Sequence, residues 1–442
     1  MKKKRFFIVQ TTIIAVVFAL ILAQGFTHFI PMRPLGGFTG KAKPVELTFS
    51  HYYKGAYQEY LNERAKETGG FREIFIRCYN QLLYSGFNIV SNENIVEGLN
   101  KEYYLLWYLR ESKGELLSST FPTIDSAKNV ARRNVEKTLV MVDSLKNHGA
   151  EFLFVFAPTK PAVYPEFMPD GYRDSISPFS MEEYYIELFR ENGINYIDFL
   201  SYFKSIKDSF PYPLYPRYGT HWAESTVPMV ADSIMRKIES ITGFDLPTVE
   251  CADWNITDQY SRQDRELENA MNLLFPVKKP MLPCPITALS DTIGKDKPDI
   301  LIVGDSYFVQ MEGSSFVDAF ENWDYWSYNR DIYSSNPKYN WRKVENLEDA
   351  FDVICNADIV LSIFTAPNFY EYMSGFCDMT LEMMRNGGLS MEKQIELMIN
   401  QIKGNPKWFD AVKKQAEERN ITLEEALHNN AVYQIKTIRA KQ

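Results

Sequence analysis

Beyond the N-terminal apolar run of this 442-residue chain, residues 152–157 (FLFVFA) and 300–303 (ILIV) contain no polar side chain, and residues 359–364 (IVLSIF) contain only Ser362. Each is strand-sized, and a strand that is apolar along its whole length must be covered on both faces. The segments between them have helical spacing. Val135, Leu139, Val142 and Leu145 form one apolar stripe on a helix that Gly149 ends. Ser180 and Glu183 form a capping box for a helix that closes at Asn192-Gly193, and residues 194–197 supply the next strand. Residues 225–241 are helical again, with Pro228 in the first turn, where its missing N–H costs nothing. This alternation predicts an α/β three-layer sandwich around a central parallel sheet.

The N-terminus sets the compartment. Lys2, Lys3, Lys4 and Arg5 precede residues 6–23, FFIVQTTIIAVVFALILA, in which nothing is charged. About 20 apolar residues span a bilayer, and a lysine-rich flank stays on the cytoplasmic side. Two readings compete: an uncleaved signal anchor, or a signal peptide removed after Ala23-Gln24-Gly25. The apolar run continues through Phe26, Phe29 and Ile30, which favours the anchor. The expected order is a cytoplasmic tail (1–5), a transmembrane signal anchor (6–30) and a Pro- and Gly-containing linker (31–50). A helical leading subdomain with short strands (51–120) follows, with two helices separated at Gly69-Gly70 and a hairpin or strand pair involving residues 95–98 and 103–109. The α/β domain occupies 121–386, and a charged helical region of two or three short helices occupies 387–442. The later apolar runs are too short to span a membrane, so the body is expected in the periplasm or outside the cell, on a single-pass anchor in the cytoplasmic membrane.

Composition mainly excludes. The formal charge is 48 − 57 = −9, which argues against a surface built for nucleic acid. Five cysteines, an odd number without a C-x-x-C pair, leave at least one thiol unpaired and do not make a disulfide scaffold. The five histidines show neither H-x-x-x-H nor H-E-x-x-H spacing, so no metal site and no cofactor is expected.

The chemistry points to two strings. Residues 299–307, DILIVGDSY, deliver Ser306 at the carboxyl end of a buried strand, where ligands bind in open α/β sheets. A serine hydroxyl is a poor nucleophile until a base takes its proton. Residues 218–222, YGTHW, carry His221, the only histidine in the α/β body that lies on a loop between elements. The ordered pair Thr220-His221-Trp222 and Gly304-Asp305-Ser306 resembles the SGNH-hydrolase-like domain of periplasmic alginate O-acetyltransferases. Supporting matches are Phe71-Arg72-Glu73, Ala157-Pro158-Thr159-Lys160, Val163-Tyr164-Pro165-Glu166, Ala357-Asp358-Ile359-Val360 and Thr365-Ala366-Pro367-Asn368-Phe369. The resemblance spans roughly residues 70–380.

It implies an O-acetyltransferase that moves an acetyl group through Ser306, with His221 as base, onto hydroxyls of an exported or cell-surface polysaccharide. It also implies a membrane-bound O-acyltransferase as the partner that brings the acetyl group. The family carries aspartate two residues before the histidine, whereas this chain has Gly219. Three outcomes follow: another acid such as Asp305 or Asp198 orients His221; a backbone carbonyl does so; or the domain is a degenerate glycan-binding or assembly protein of an export complex. An acetyl esterase is a further alternative, because water can complete the same acyl-enzyme. Asn368 is the expected second oxyanion donor, and Lys160 and Arg217 are the expected contacts for an anionic sugar.

Overall fold

The computed structural model describes residues 2–37, 42–347, 349–386, 391–419 and 421–439. Ten strands are β1 (Ile95–Glu97), β2 (Tyr103–Leu105), β3 (Glu151–Phe156), β4 (Tyr196–Asp198), β5 (Thr248–Thr257), β6 (Leu282–Ser290), β7 (Ile300–Gly304), β8 (Trp323–Ser327), β9 (Asp331–Ser334) and β10 (Ile359–Phe364). The central sheet has six strands in the order β4-β3-β10-β7-β8-β9. All its neighbours are parallel except β8 and β9, which form an antiparallel hairpin at one edge. The sheet is therefore mixed rather than wholly parallel. Residues 323–334 hold both hairpin strands within a dozen positions, too few for the crossover that a parallel pair needs.

Alternation along the strands divides the core into two layers. Phe152, Phe154, Phe156, Leu301, Val303, Val360 and Phe364 face one side, against the helices Ile124–Asn147, Met181–Glu191 and Phe376–Arg385. Leu153, Val155, Ile300, Ile302, Ile359, Leu361 and Ile363 face the other, against Phe199–Ile206 and Val227–Thr242. A strand with apolar residues at every position satisfies both layers at once, which is why the three runs are continuous. Thr123 and Ser126 cap the longest of these helices reciprocally.

In the leading segment, helices Ala56–Thr68 and Arg72–Phe87 are separated at Gly69-Gly70, and β1 pairs antiparallel with β2. The second strand stops at Leu105, because residues Leu106–Ser112 turn into a helix instead of continuing as strand. The C-terminal helices Met391–Gly404, Pro406–Arg419 and Leu423–Arg439 form a core of their own from Ile402, Val412, Ala416, Leu427 and Ala431. The boundary expected at 386/387 abuts residues 387–390, which are outside the described residues. At the other end, the helix Lys2–Thr27 contains a span, Arg5–Thr27, of mean hydropathy 2.6, long and apolar enough to cross a membrane. The five cysteines are free thiols.

Candidate active site

β7 and β10 lie side by side at the centre of the sheet, and their carboxyl ends define the site. Asp305 continues β7 in extended conformation and its N–H donates to Ile363 O at 3.1 Å. Its carboxylate then fastens the two strand ends together. Oδ1 accepts from Tyr307 N (3.0 Å), and Oδ2 accepts from Thr365 N (2.7 Å), Thr365 Oγ1 (2.8 Å) and Asn368 Nδ2 (2.7 Å). Burial pushes the Asp305 carboxyl up, and these donors counter it. The chain turns sharply at Ser306–Phe308, leaving Ser306 at the mouth while Tyr307 and Phe308 enter the core.

His221 arrives on the loop before the helix Val227–Thr242. Trp222 is fully buried and packs edge-on against Tyr307, whose hydroxyl donates to Thr220 O at 2.8 Å. The loop is thus pinned to the residue that follows Ser306. His221 Nε2 lies 2.8 Å from Ser306 Oγ, and His221 Nδ1 lies 2.8 Å from Glu266 Oε1. Glu266 also accepts from Thr220 N at 2.7 Å and from the Thr220 hydroxyl. Serine, imidazole and carboxylate form one hydrogen-bonded line. Burial would push the His221 imidazolium down, but the Glu266 carboxylate outweighs it and the net direction is up. Burial would likewise raise the Glu266 carboxyl, but His221 and Thr220 hold it below the usual carboxylate range. Both shifts favour the charged pair.

Gly219 explains why the acid comes from elsewhere. A Cβ at this position would lie 2.5 Å from Pro216 Cγ and 2.9 Å from Gln263 O. The segment that delivers Glu266 is packed directly against residue 219, with Leu267 N donating to Tyr218 O at 2.9 Å. The absence of a side chain at 219 makes room for the backbone that brings in Glu266, 45 residues downstream of His221. Glu266 is not legible in the sequence, because the segment 258–281 has no strong periodicity. The only signal was indirect: a histidine lacking its usual acid needs one from another part of the chain.

Tyr328 was missed as well. It sits in the tight turn between β8 and β9 with φ +52°, followed by Asn329 at +49°. A tyrosine at positive φ carries a conformational cost that an asparagine there largely avoids, and such cost collects at functional sites. The Tyr328 hydroxyl is 3.3 Å from Ser306 Oγ and also meets the Ser306 peptide N–H. A cleft beside Ser306 has a volume of about 500 Å³ and is lined by Ser306, His221, Glu266, Leu105, Arg262 and Gly36.

Several expected roles need correction. Asp305 is not the orienting acid, since its carboxylate faces Thr365 and Asn368, and Asp198 caps a helix by accepting from Ser201 N at 2.8 Å. Asn368 Nδ2 is committed to Asp305 and Thr365 Oγ1, so its amide supports Asp305 rather than an oxyanion. Lys160 is 1% exposed and holds the carbonyls of Tyr103, Pro216 and Arg217 together with the Glu102 carboxylate at 2.9 Å. It braces the His221 loop from inside and cannot reach a sugar. Arg217 pairs with the same Glu102 at 3.6 Å and is not among the residues lining the cleft. Among the described residues, Arg262 is the cation that lines it.

Residues 118–322 match the family described as the SGNH hydrolase-like domain of acetyltransferase AlgX. No curated protein sequence matches the chain. Among solved structures, the O-acetyltransferase domain of Pseudomonas putida AlgJ is 15% identical, with TM-score 0.42, over 66% of this chain and 99% of that one. Pseudomonas aeruginosa AlgX is 14% identical, with TM-score 0.40, over 64% and 67%. Bacillus cereus PatB1, carrying a sulfonyl adduct, is 12% identical, with TM-score 0.36, over 56% and 93%.

Proposed function

We propose, from the match of residues 118–322 to the SGNH hydrolase-like domain of acetyltransferase AlgX, that this protein is a membrane-anchored O-acetyltransferase acting through an acetyl ester on Ser306. The observation that supports this most is the line Ser306–His221–Glu266, with both contacts at 2.8 Å. In the first half-reaction, Ser306 Oγ attacks the acetyl carbonyl carbon of the donor while His221 Nε2 takes the hydroxyl proton. Glu266 stabilises the imidazolium formed. The Ser306 N–H and the Tyr328 hydroxyl stabilise the tetrahedral oxyanion. The bond to the donor oxygen breaks, and that oxygen leaves with the proton from His221. In the second half-reaction, a sugar hydroxyl gives its proton to His221 and attacks the acetyl carbon, and Ser306 Oγ leaves and is reprotonated.

The acceptor is proposed to be an exported or cell-surface polysaccharide, and the donor a membrane-bound O-acyltransferase carrying the acetyl group across the cytoplasmic membrane. The apolar span Arg5–Thr27 supports a single-pass anchor with the body on the periplasmic or extracellular side. Arg262 at the cleft is the proposed contact for an acidic sugar, in place of Lys160 and Arg217. Glu266 favours turnover over a purely binding role, because it supplies the acid whose loss at position 219 suggested degeneracy.

The test supplies the full chain with an activated acetyl ester and a defined oligosaccharide. O-acetyl groups on the sugar, dependent on Ser306, are expected. Free acetate with an unmodified sugar would make the protein an esterase. No difference between wild type and Ser306→Ala would leave the binding role.

A further inference from the structure

The helix Arg72–Phe87 has its polarity reversed relative to a helix on a water-facing surface. Its inward face carries Arg77 and Asn80, 5% and 8% exposed, whereas Phe75, Tyr79 and Leu82 on the outward face are 56%, 60% and 62% exposed. Ile74, Phe75, Cys78, Tyr79 and Leu82 fall at i, i+1, i+4, i+5 and i+8, one continuous side of an α-helix without a charge on it. The inward polar groups are all engaged by protein. Arg77 donates to the carbonyls of Arg33, Pro34 and Leu273, and Asn80 Nδ2 donates to those of Met271 and Asn272.

What covers the outward face is indicated by where the helix begins. Gly70, two residues before it, packs on the anchor helix so closely that a Cβ there would lie 2.7 Å from Gly25 N. Phe71 meets Phe29 edge to face with ring centroids 6.2 Å apart. About 20 residues at 1.5 Å rise cross the hydrocarbon core, so a span starting at Phe6 reaches the outer boundary near Gly25. The helix therefore starts at the level of that boundary. Gln24, the polar residue at this depth, is satisfied inside the protein by the N–H and carbonyl of Ile30.

We propose that Arg72–Phe87 lies in the outer interface of the bilayer with Phe75, Tyr79 and Leu82 among the lipid chains, giving the domain a second attachment beside its span. The consequence reaches the cleft. The linker held by Arg77 continues to Gly36, which exchanges hydrogen bonds with Asn272 and lines the cleft with Glu266 and Ser306. Lipid contact on one face of this helix thus sets the height at which the cleft stands above the membrane. This attachment rests on the proposed single-pass anchor and not on acetyl transfer.

The test places the full chain in phosphatidylcholine nanodiscs, with Cys251, Cys284 and Cys355 replaced by Ala and a nitroxide on the native Cys78. A second variant also carries Cys78→Ala and moves the label to Leu82→Cys, and a water-facing control moves it to Ser209→Cys. Electron paramagnetic resonance saturation should show oxygen relaxing the labels at 78 and 82 several-fold more than a water-soluble nickel chelate, with the reverse at 209. Chelate access at 78 and 82 equal to that at 209 would overturn the proposal. Shielding from both relaxants, meaning that protein covers the face, would overturn it too. Unsubstituted protein in nanodiscs containing a photoactivatable lipid checks the same point without any variant: crosslinks at residues 74–82 as well as in the span are expected, and crosslinks confined to the span contradict it.

Discussion

Glu266 does for His221 what an aspartate at position 219 would do in the family that the chain resembles, but it reaches the imidazole from another segment. Glu266→Gln should lower turnover by roughly 10²- to 10⁴-fold. It should also shift the pH profile in a defined direction. The carboxylate raises the His221 pKa, so removing it lowers that pKa, and the acid limb of the rate profile should move to lower pH. An acid limb left in place would mean that another group orients His221. Tyr328→Phe should cost roughly 10²-fold, the size expected for one oxyanion donor, with the melting temperature unchanged or raised. Equal activity in the two proteins would remove Tyr328 from the mechanism. At this scale the sequence pointed to Ser306 and His221, which the structure places 2.8 Å apart, because each sits in a short string of chemically specific residues. Glu266 and Tyr328 were hidden because their roles arise from contacts between distant segments, and neither has a local pattern around it.

At the scale of elements, the loop carrying His221 is locked by packing that leaves no room for a side chain at 219. Gly219→Asp should therefore destabilise the protein by about 1–3 kcal/mol, and it should fail to restore activity to Glu266→Ala. Rescue would show that the loop can relax to the family arrangement. Asp264, on the same segment as Glu266, is 2% exposed and accepts from Glu224 N and Gln310 Nε2. Burial, then Glu224, pushes its carboxyl up to about 8. The folded state therefore keeps a proton that the unfolded chain releases above about pH 4. The stability it contributes is present below about pH 4 and is lost as pH rises towards 8. Asp264→Asn should raise the melting temperature more at pH 8 than at pH 5, and an equal effect at both would contradict the shift. The strands were legible where burial on both faces made them uniformly apolar, as in β3, β7 and β10. The edge hairpin β8–β9 and the helix Leu106–Ser112 were not, because their residues face mixed environments and tertiary packing decides their conformation.

For the whole molecule, the span, the linker and the cleft form one connected path. Residues 6–23 announced the apolar span by composition alone. That the linker would fold back to line the cleft was not legible, because Pro34 is held by Arg77 and Gly36 by Asn272, partners that lie far away in the chain. The C-terminal helices, read as an appendage, carry a separate small core. The central claim is that Ser306 becomes acetylated, and its most direct test is intact-protein and peptide mass spectrometry of the full chain after brief exposure to an activated acetyl ester. One acetyl group on Ser306 is predicted, accumulating in the absence of acceptor and missing in Ser306→Ala. A wild-type protein that stays unmodified at Ser306 across the pH range in which it remains folded would contradict the account.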